Sequence, residues 1–199
     1  MPKKVDHEMR RADLARAAFR IIAKRGFAAA TVREIAREAG FTHGSIPHYV
    51  KSKDQLLLAA SEYSAATVHA RLVIVEDRFD GIEAVRQWFW ALLPLDEEKA
   101  GHWNIWGNFW GQSAQSGAVQ KMMDLRYAEA TGAFRRLMKR AQAAGEIGPR
   151  IDIQLAARTA SAMVSGFGMQ VHVSGLRNIP ARVQKACVEN WIAHALAVG

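Results

Sequence analysis

The 199-residue sequence predicts an all-α protein, and three observations carry that prediction. Alanine, leucine, arginine, glutamate and glutamine are abundant, and these residues give up least on entering a helix. Apolar residues recur at three- and four-residue spacing, and no run alternates at period two for long. Glycine and proline fall at intervals that suit helix ends. Half of the residues are hydrophobic and 23% are charged, which supports a real core and excludes wholesale disorder.

Taken in order, the first helix is predicted from about Asp6 or His7 to Arg25, with Leu14, Ala17, Ala18, Ile21 and Ile22 on one face. Gly26 stands where a C-cap glycine is expected. Thr31-Val-Arg-Glu34 fits a capping box and opens a short second helix that stops at Gly40. A third spans His43 to Val50. Ser52-Lys-Asp-Gln55 is a second capping box and opens a fourth helix reaching about Asp77. Asp80-Gly81 separates it from a fifth, which ends near Pro94 because proline is excluded from a helix interior. A sixth covers about His102 to Ala114 and a seventh about Ala118 to Ala144. The Gly148-Pro149 break precedes an eighth, about Asp152 to Val173. Pro180 is expected as the first residue of a ninth, to about Ala197.

Charge is unevenly placed. Residues 1–53 hold 12 Lys/Arg against 5 Asp/Glu, whereas residues 54–199 hold 15 against 14. A localised basic block suits a polyanion, nucleic acid ahead of a membrane surface. The first residues, Pro2-Lys3-Lys4, read as a short basic arm or a disordered tail. The single Cys187 has no partner within the chain, and the start of the sequence has no apolar secretory core, so a cytoplasmic, nucleoid-associated protein is expected. The uncharged stretches 100–120 and 159–176 are too polar to span a membrane.

Residues 31–50, TVREIAREAGFTHGSIPHYV, carry the recognition chemistry. Two short helices flank a turn at Ala39-Gly40-Phe41-Thr42, with Val32, Ile35, Ala36, Ile46 and Val50 available to lock them together. Arg33, Arg37, Thr42, His43, Ser45, His48, Tyr49 and Lys51 remain polar. A helix of this kind fits the major groove of B-DNA while its predecessor lies against the backbone.

At these residues the chain resembles the TetR family of transcriptional regulators. Thr31-Val-Arg-Glu-Ile-Ala, Ala39-Gly40, Gly44, His48-Tyr49 and Lys51-Ser-Lys53 carry the match, together with the lead-in helix and Gly26-Phe27, over about residues 8–62. The resemblance implies a three-helix DNA-binding domain, 1–53, and a helical effector-binding and dimerisation domain, 54–199. It implies phosphate contacts from Thr42, Tyr49 and Lys53, a base-facing set of His43, Gly44, Ser45 and His48, and Arg33 on the preceding helix. Pro47 departs from the family pattern. A proline in a helix interior costs about 3 kcal/mol, which is avoided if the regular helix begins around Ser45 and Thr42–Gly44 is an irregular entry.

Five of the six tryptophans lie between 88 and 110. Trp103, Trp106 and Trp110 share one helical face, with Trp88 near the edge of the preceding helix. Such a stripe is either packed core or a ligand box whose indole faces attract a quaternary ammonium at about 0.5–2 kcal/mol per ring. Trp106-Gly-Asn-Phe-Trp110, the later Arg135-Arg136 and the Gly44-Ser-Ile-Pro-His-Tyr stretch resemble the choline-responsive repressors of betaine synthesis within the same family. No acidic residue lies between Gly101 and Lys121, so a cation there relies on aromatic faces or a distant carboxylate such as Asp124, and an uncharged hydrophobic or aromatic effector suits the same walls.

In the eighth and ninth helices Met163, Phe167, Val171 and Trp191 are candidates for a homodimer surface, as in a two-fold four-helix bundle. Function classes then separate. No phosphate loop, HExxH, CxxC or nucleophile elbow is found, which weighs against an enzyme. No cofactor is expected, and no metal site: His102, His172 and His194 with Asp124 or Glu129 lack ligand spacing. A DNA-binding regulator on a pseudo-palindromic operator, repressing until a small molecule releases it, is the leading expectation; an effector-free architectural DNA binder is the alternative. The fourth helix, joining head to body, is the expected lever.

Overall fold

A computed structural model describes residues 2–41, 52–113 and 116–196. These form eight helices and no strand: α1 (Pro2–Ala29), α2 (Val32–Glu38), α3 (Lys53–Arg78), α4 (Gly81–Leu92), α5 (Glu97–Ser113), α6 (Gly117–Ala143), α7 (Ile153–Ser174) and α8 (Ala181–Ala195). The short helix expected over 43–50 lies outside the described residues.

Local signals set the helix ends. The backbone leaves helical geometry at Gly26, φ 77°, and one further turn carries α1 to Ala29. Pro2, Lys3 and Lys4, expected as an arm or a disordered tail, instead form the first turn of α1; proline's locked φ suits that position. The Thr31 hydroxyl accepts from Glu34 N–H at 3.1 Å and donates to Glu34 Oε2 at 3.0 Å. Glu34 Oε1 accepts from Arg25 Nη1, so the glutamate ties α2 to α1 rather than closing the box on the Thr31 N–H. The end of α2 is a Schellman motif: Phe41 N–H reaches Ala36 C=O at 2.8 Å and Gly40 N–H reaches Arg37 C=O at 3.2 Å. That motif places Gly40 at φ 74°, the left-handed region where only glycine sits without a Cβ penalty. Ser52 and Asp152 cap α3 and α7. Helix α5 starts at Glu97, earlier than the sequence pattern implied, because the Asp96 carboxylate accepts from Lys99 N–H at 2.8 Å.

Two apolar clusters hold the helices together. The first joins Leu14, Ala18 and Ile22 of α1, Ile35 of α2, and Leu56, Leu57 and Ala60 of α3 to Ile105 and Phe109 of α5. The second joins Val85, Trp88 and Phe89 of α4, Phe134 and Leu137 of α6, Ala160 and Val164 of α7, and Val188 and Ile192 of α8. Full burial of each large side chain contributes about 1.5–3 kcal/mol. Helix α3 serves both clusters, through Leu56 and Leu57 at one end and Leu72 and Val75 at the other. Residue 53 therefore opens a helix shared by the two cores.

Candidate DNA-contact surface and aromatic cavity

On α2 the apolar face is spent on Ile35 and Ala36, and Arg33 and Arg37 are left exposed. Neither arginine forms an ion pair among the described residues, so both guanidinium groups are available to phosphates. Arg20 and Arg25 are instead paired with Glu38 and Glu34 at 3.0 and 3.1 Å. Lys53 is half-buried: Nζ donates to Ala28 C=O at 3.2 Å and stands 4.4 Å from the centroid of the Phe27 ring. It anchors the start of α3 to the end of α1. Thr42, His43, Gly44, Ser45, Pro47, His48 and Tyr49 lie outside the described residues.

The second feature is a cavity of about 260 Å³ bounded by α3, α4, α5, α6 and α7. All four tryptophans expected there line it. Their roles differ. Trp88 is 1% exposed, donates from Nε1 to Ala130 C=O at 3.0 Å and packs edge-on against Phe89 and Phe134, so it belongs to the core and reaches the cavity only as part of its wall. Trp103 is pinned on both sides. Its Nε1 donates to Leu92 C=O at 2.9 Å, and its ring lies against the bare Gly168 backbone of α7. Trp106 and Trp110 follow on the same side of α5.

The sequence reading missed the polar part of the lining. Asp124, the carboxylate considered for a bound cation, is exposed and outside the cavity. The carboxylates that do line it are Glu76 of α3 and Glu129 of α6. Glu76 receives a bidentate guanidinium from Arg136, both bonds 2.7 Å, which holds its carboxyl below the usual range. Glu129 pairs with Arg126 at 2.9 Å. Arg71, Lys99 and Tyr127 also line the cavity. These residues stand far from the tryptophans in sequence, and an i, i+3 Arg126–Glu129 pair on a helix looks like ordinary solvated surface.

Helix α5 also touches the head. His102 Nδ1 is 2.8 Å from Ser64 Oγ of α3, and its ring lies 4.7 Å from that of Phe19 of α1. Burial, then the positive charge of Arg71, push the imidazole pKa down to about 4, so it is neutral at pH 7. Asn104 Nδ2 donates to Ala23 C=O of α1 at 2.9 Å, and its Oδ1 lies 3.1 Å from His172 Nδ1 of α7. The same helix thus walls the cavity and docks on α1, a coupling role the sequence assigned to α3 alone. His102, His172 and His194 are spent on Ser64, Asn104 and the Asn190 carbonyl, and no three His, Cys, Asp or Glu among the described residues converge on a metal site.

The residues expected at a dimer surface divide. Met163 and Phe167 are half-buried against the second cluster. Val171 is 3% exposed, and Trp191 packs on Phe89 and Phe134 at 5.6 and 6.3 Å between centroids. Val171 falls on the inward face of α7, whereas Trp191 is half-buried like Met163 and Phe167. The outward faces carry Ala162, Gly166, Gln170 and Val173 on α7 and Val183, Ala186, Cys187 and Asn190 on α8.

Comparison with known proteins agrees with this architecture. Residues 14–60 match the family described as bacterial regulatory proteins, tetR family, and residues 81–197 match the BetI-type transcriptional repressor C-terminal family. The transcriptional regulator PksA of Bacillus subtilis is 27% identical, covering 96% of this chain and 92% of its own length. The transcriptional regulator BetI of Stenotrophomonas maltophilia is 31% identical over 88% of this chain and 87% of its own. A transcriptional regulator from Saccharomonospora viridis, solved in complex with choline, shares the fold with a TM-score of 0.82 at 24% identity, covering 95% of this chain and 97% of that one. With eight helices on the described residues, a capped α2 ending in a tight turn and an aromatic cavity behind it, the chain belongs to the TetR family of bacterial transcriptional regulators, with a BetI-type C-terminal region.

Proposed function

We propose that the protein is a dimeric repressor that binds a pseudo-palindromic operator and is released by a small quaternary ammonium compound of the choline class. The observation that carries this is the double role of α5: Trp103, Trp106 and Trp110 line the cavity, while His102 and Asn104 of the same helix contact α1. A ligand that moves α5 therefore moves the head, and a ligand shifts an equilibrium only through such differential contact. The choline complex of the Saccharomonospora viridis regulator supports the same chemistry. Arg33, Lys53 and the 42–49 segment contact DNA, and the outward faces of α7 and α8 pair across the two-fold axis. The division of labour at residue 53 follows, with head before it and effector domain after. The protein works in the cytoplasm at the nucleoid, as a regulator and not as an enzyme; no helix among the described residues is long and apolar enough to cross a membrane.

Titrating choline while following tryptophan fluorescence and operator gel shifts tests this. Choline should quench or shift the emission and weaken operator binding, and operator affinity should fall steeply with salt as phosphates are neutralised. A second reading, an uncharged apolar effector, draws on the carboxylates that line the cavity being already paired with arginines. It is selected if millimolar choline changes neither signal while an apolar aromatic compound changes both.

A further inference from the structure

Two residues of the cavity wall each carry a buried polar atom that has no hydrogen-bond partner among the described residues: Arg126, at Nε, and His102, at Nε2. A buried polar atom left unpaired costs about 1–3 kcal/mol, so such atoms mark places where a further group bonds. Another nitrogen of each side chain is engaged: Arg126 Nη1 donates to Glu129, and His102 Nδ1 bonds with Ser64.

Charge balance is the second observation. The arginines and lysine of the wall are Arg71, Lys99, Arg126 and Arg136. Each already has a carboxylate: Glu98 at 2.5 Å, Asp96 at 2.9 Å, Glu129 at 2.9 Å and Glu76 at 2.7 Å. A simple onium ion brings one uncompensated positive charge into this neutral set. A zwitterion brings none, and its anionic oxygen is the acceptor that Arg126 Nε lacks.

We infer that the preferred effector is a small zwitterion, a quaternary ammonium joined to a carboxylate, with its onium end on Trp103, Trp106 and Trp110 and its carboxylate on Arg126 Nε. The inference rests on the onium reading above and deepens it. It makes Arg126 the residue that separates an ammonium carboxylate from an ammonium alcohol, since a hydrogen bond between two charged groups is about twice as strong as a neutral one.

The test is calorimetric titration of the full chain with glycine betaine, choline and 3,3-dimethylbutanoate, the last keeping the carboxylate but not the positive charge. Betaine should bind about tenfold or more tighter than choline, and the dimethyl acid more weakly than betaine. Arg126→Lys, which lacks Nε but keeps the charge balance of the wall, should bring betaine down to the level of choline and leave choline within about twofold, and Arg126→Met, which leaves Glu129 uncompensated, should weaken betaine while tightening choline. Glu129→Gln, which keeps Arg126 and removes the negative charge competing for it, should tighten betaine, and it reads the same contact if the Arg126 variants fail to fold by thermal melting. Choline binding as tightly as betaine, or both ligands weakening equally in the Arg126 variants, overturns this inference and leaves the onium reading standing. Silence from both betaine and choline overturns the two together.

Discussion

Replacing Gly168 by alanine is a sharp test of how the cavity wall is built. Gly168 lies in the middle of α7, where the added methyl falls within the Trp103 indole, far inside the carbon–carbon optimum of about 3.5–4.0 Å. The ring can retreat only toward the cavity that it lines, which strains the bond from its Nε1 to the Leu92 carbonyl. Overpacking of this kind costs about 1–3 kcal/mol, while exchanging glycine for alanine inside a helix returns about 0.5–1 kcal/mol. The net loss is on the order of 1–2 kcal/mol, which lowers Tm by about 2–8 °C at this chain length. Gly132→Ala is the control: its methyl meets Arg136 Nη1 at 3.5 Å and Arg135 Nη2 at 3.9 Å, both ordinary contacts, so this change should raise Tm by about 1–4 °C. Calorimetric melting of the three proteins, with tryptophan emission recorded alongside, decides the matter. A Gly168→Ala protein melting at or above wild type, with unchanged emission, would refute the pinned position of Trp103.

Asn104→Leu removes the bond to Ala23 and the contact with His172. It should cost about 1–3 kcal/mol and bring the ratio of operator affinities without and with effector toward one; an unchanged ratio in gel shifts removes the α5–α1 contact from the signal path. Ala162→Arg, on the outward face of α7, should give a folded monomer by light scattering and circular dichroism, and an intact dimer would place the interface elsewhere. His102 is depressed from 6.5 to about 4 in the folded chain, so the unfolded chain binds more protons between those values. Its contribution is full above pH 6.5, falls by about 1.4 kcal/mol per unit as pH drops, and is gone near pH 4. Urea unfolding at pH 7.5 and 5 should show a loss that His102→Gln reduces; equal losses in both proteins assign the acid sensitivity to other groups.

The elements that could be read in advance share one property: their determinants lie within four residues of one another. Thr31 and Ser52 find their partners three positions along the chain, Gly26 and Gly40 act on their own φ, and the tryptophans at 103, 106 and 110 share a face through helical periodicity alone. The burial of Val171 and the packing of Trp191 on Phe89 and Phe134 were not legible in that way. Both lie on apolar stripes, and a stripe does not say whether a partner helix of the same chain or of another copy will cover it.

The sequence by itself determined the all-α class, most helix boundaries, the concentration of positive charge before residue 54 and the family, because these follow from local propensity, periodicity and short motifs. Only the tertiary structure decided which residues meet at the cavity and where α5 packs on α1 and α3. Glu76 and Arg136 are separated by 60 residues, Ser64 and His102 by 38, and Ala23 and Asn104 by 81. Such pairs form where helix packing brings distant turns together, and in each the charge or amide looks like ordinary helix surface until a second helix is laid against it.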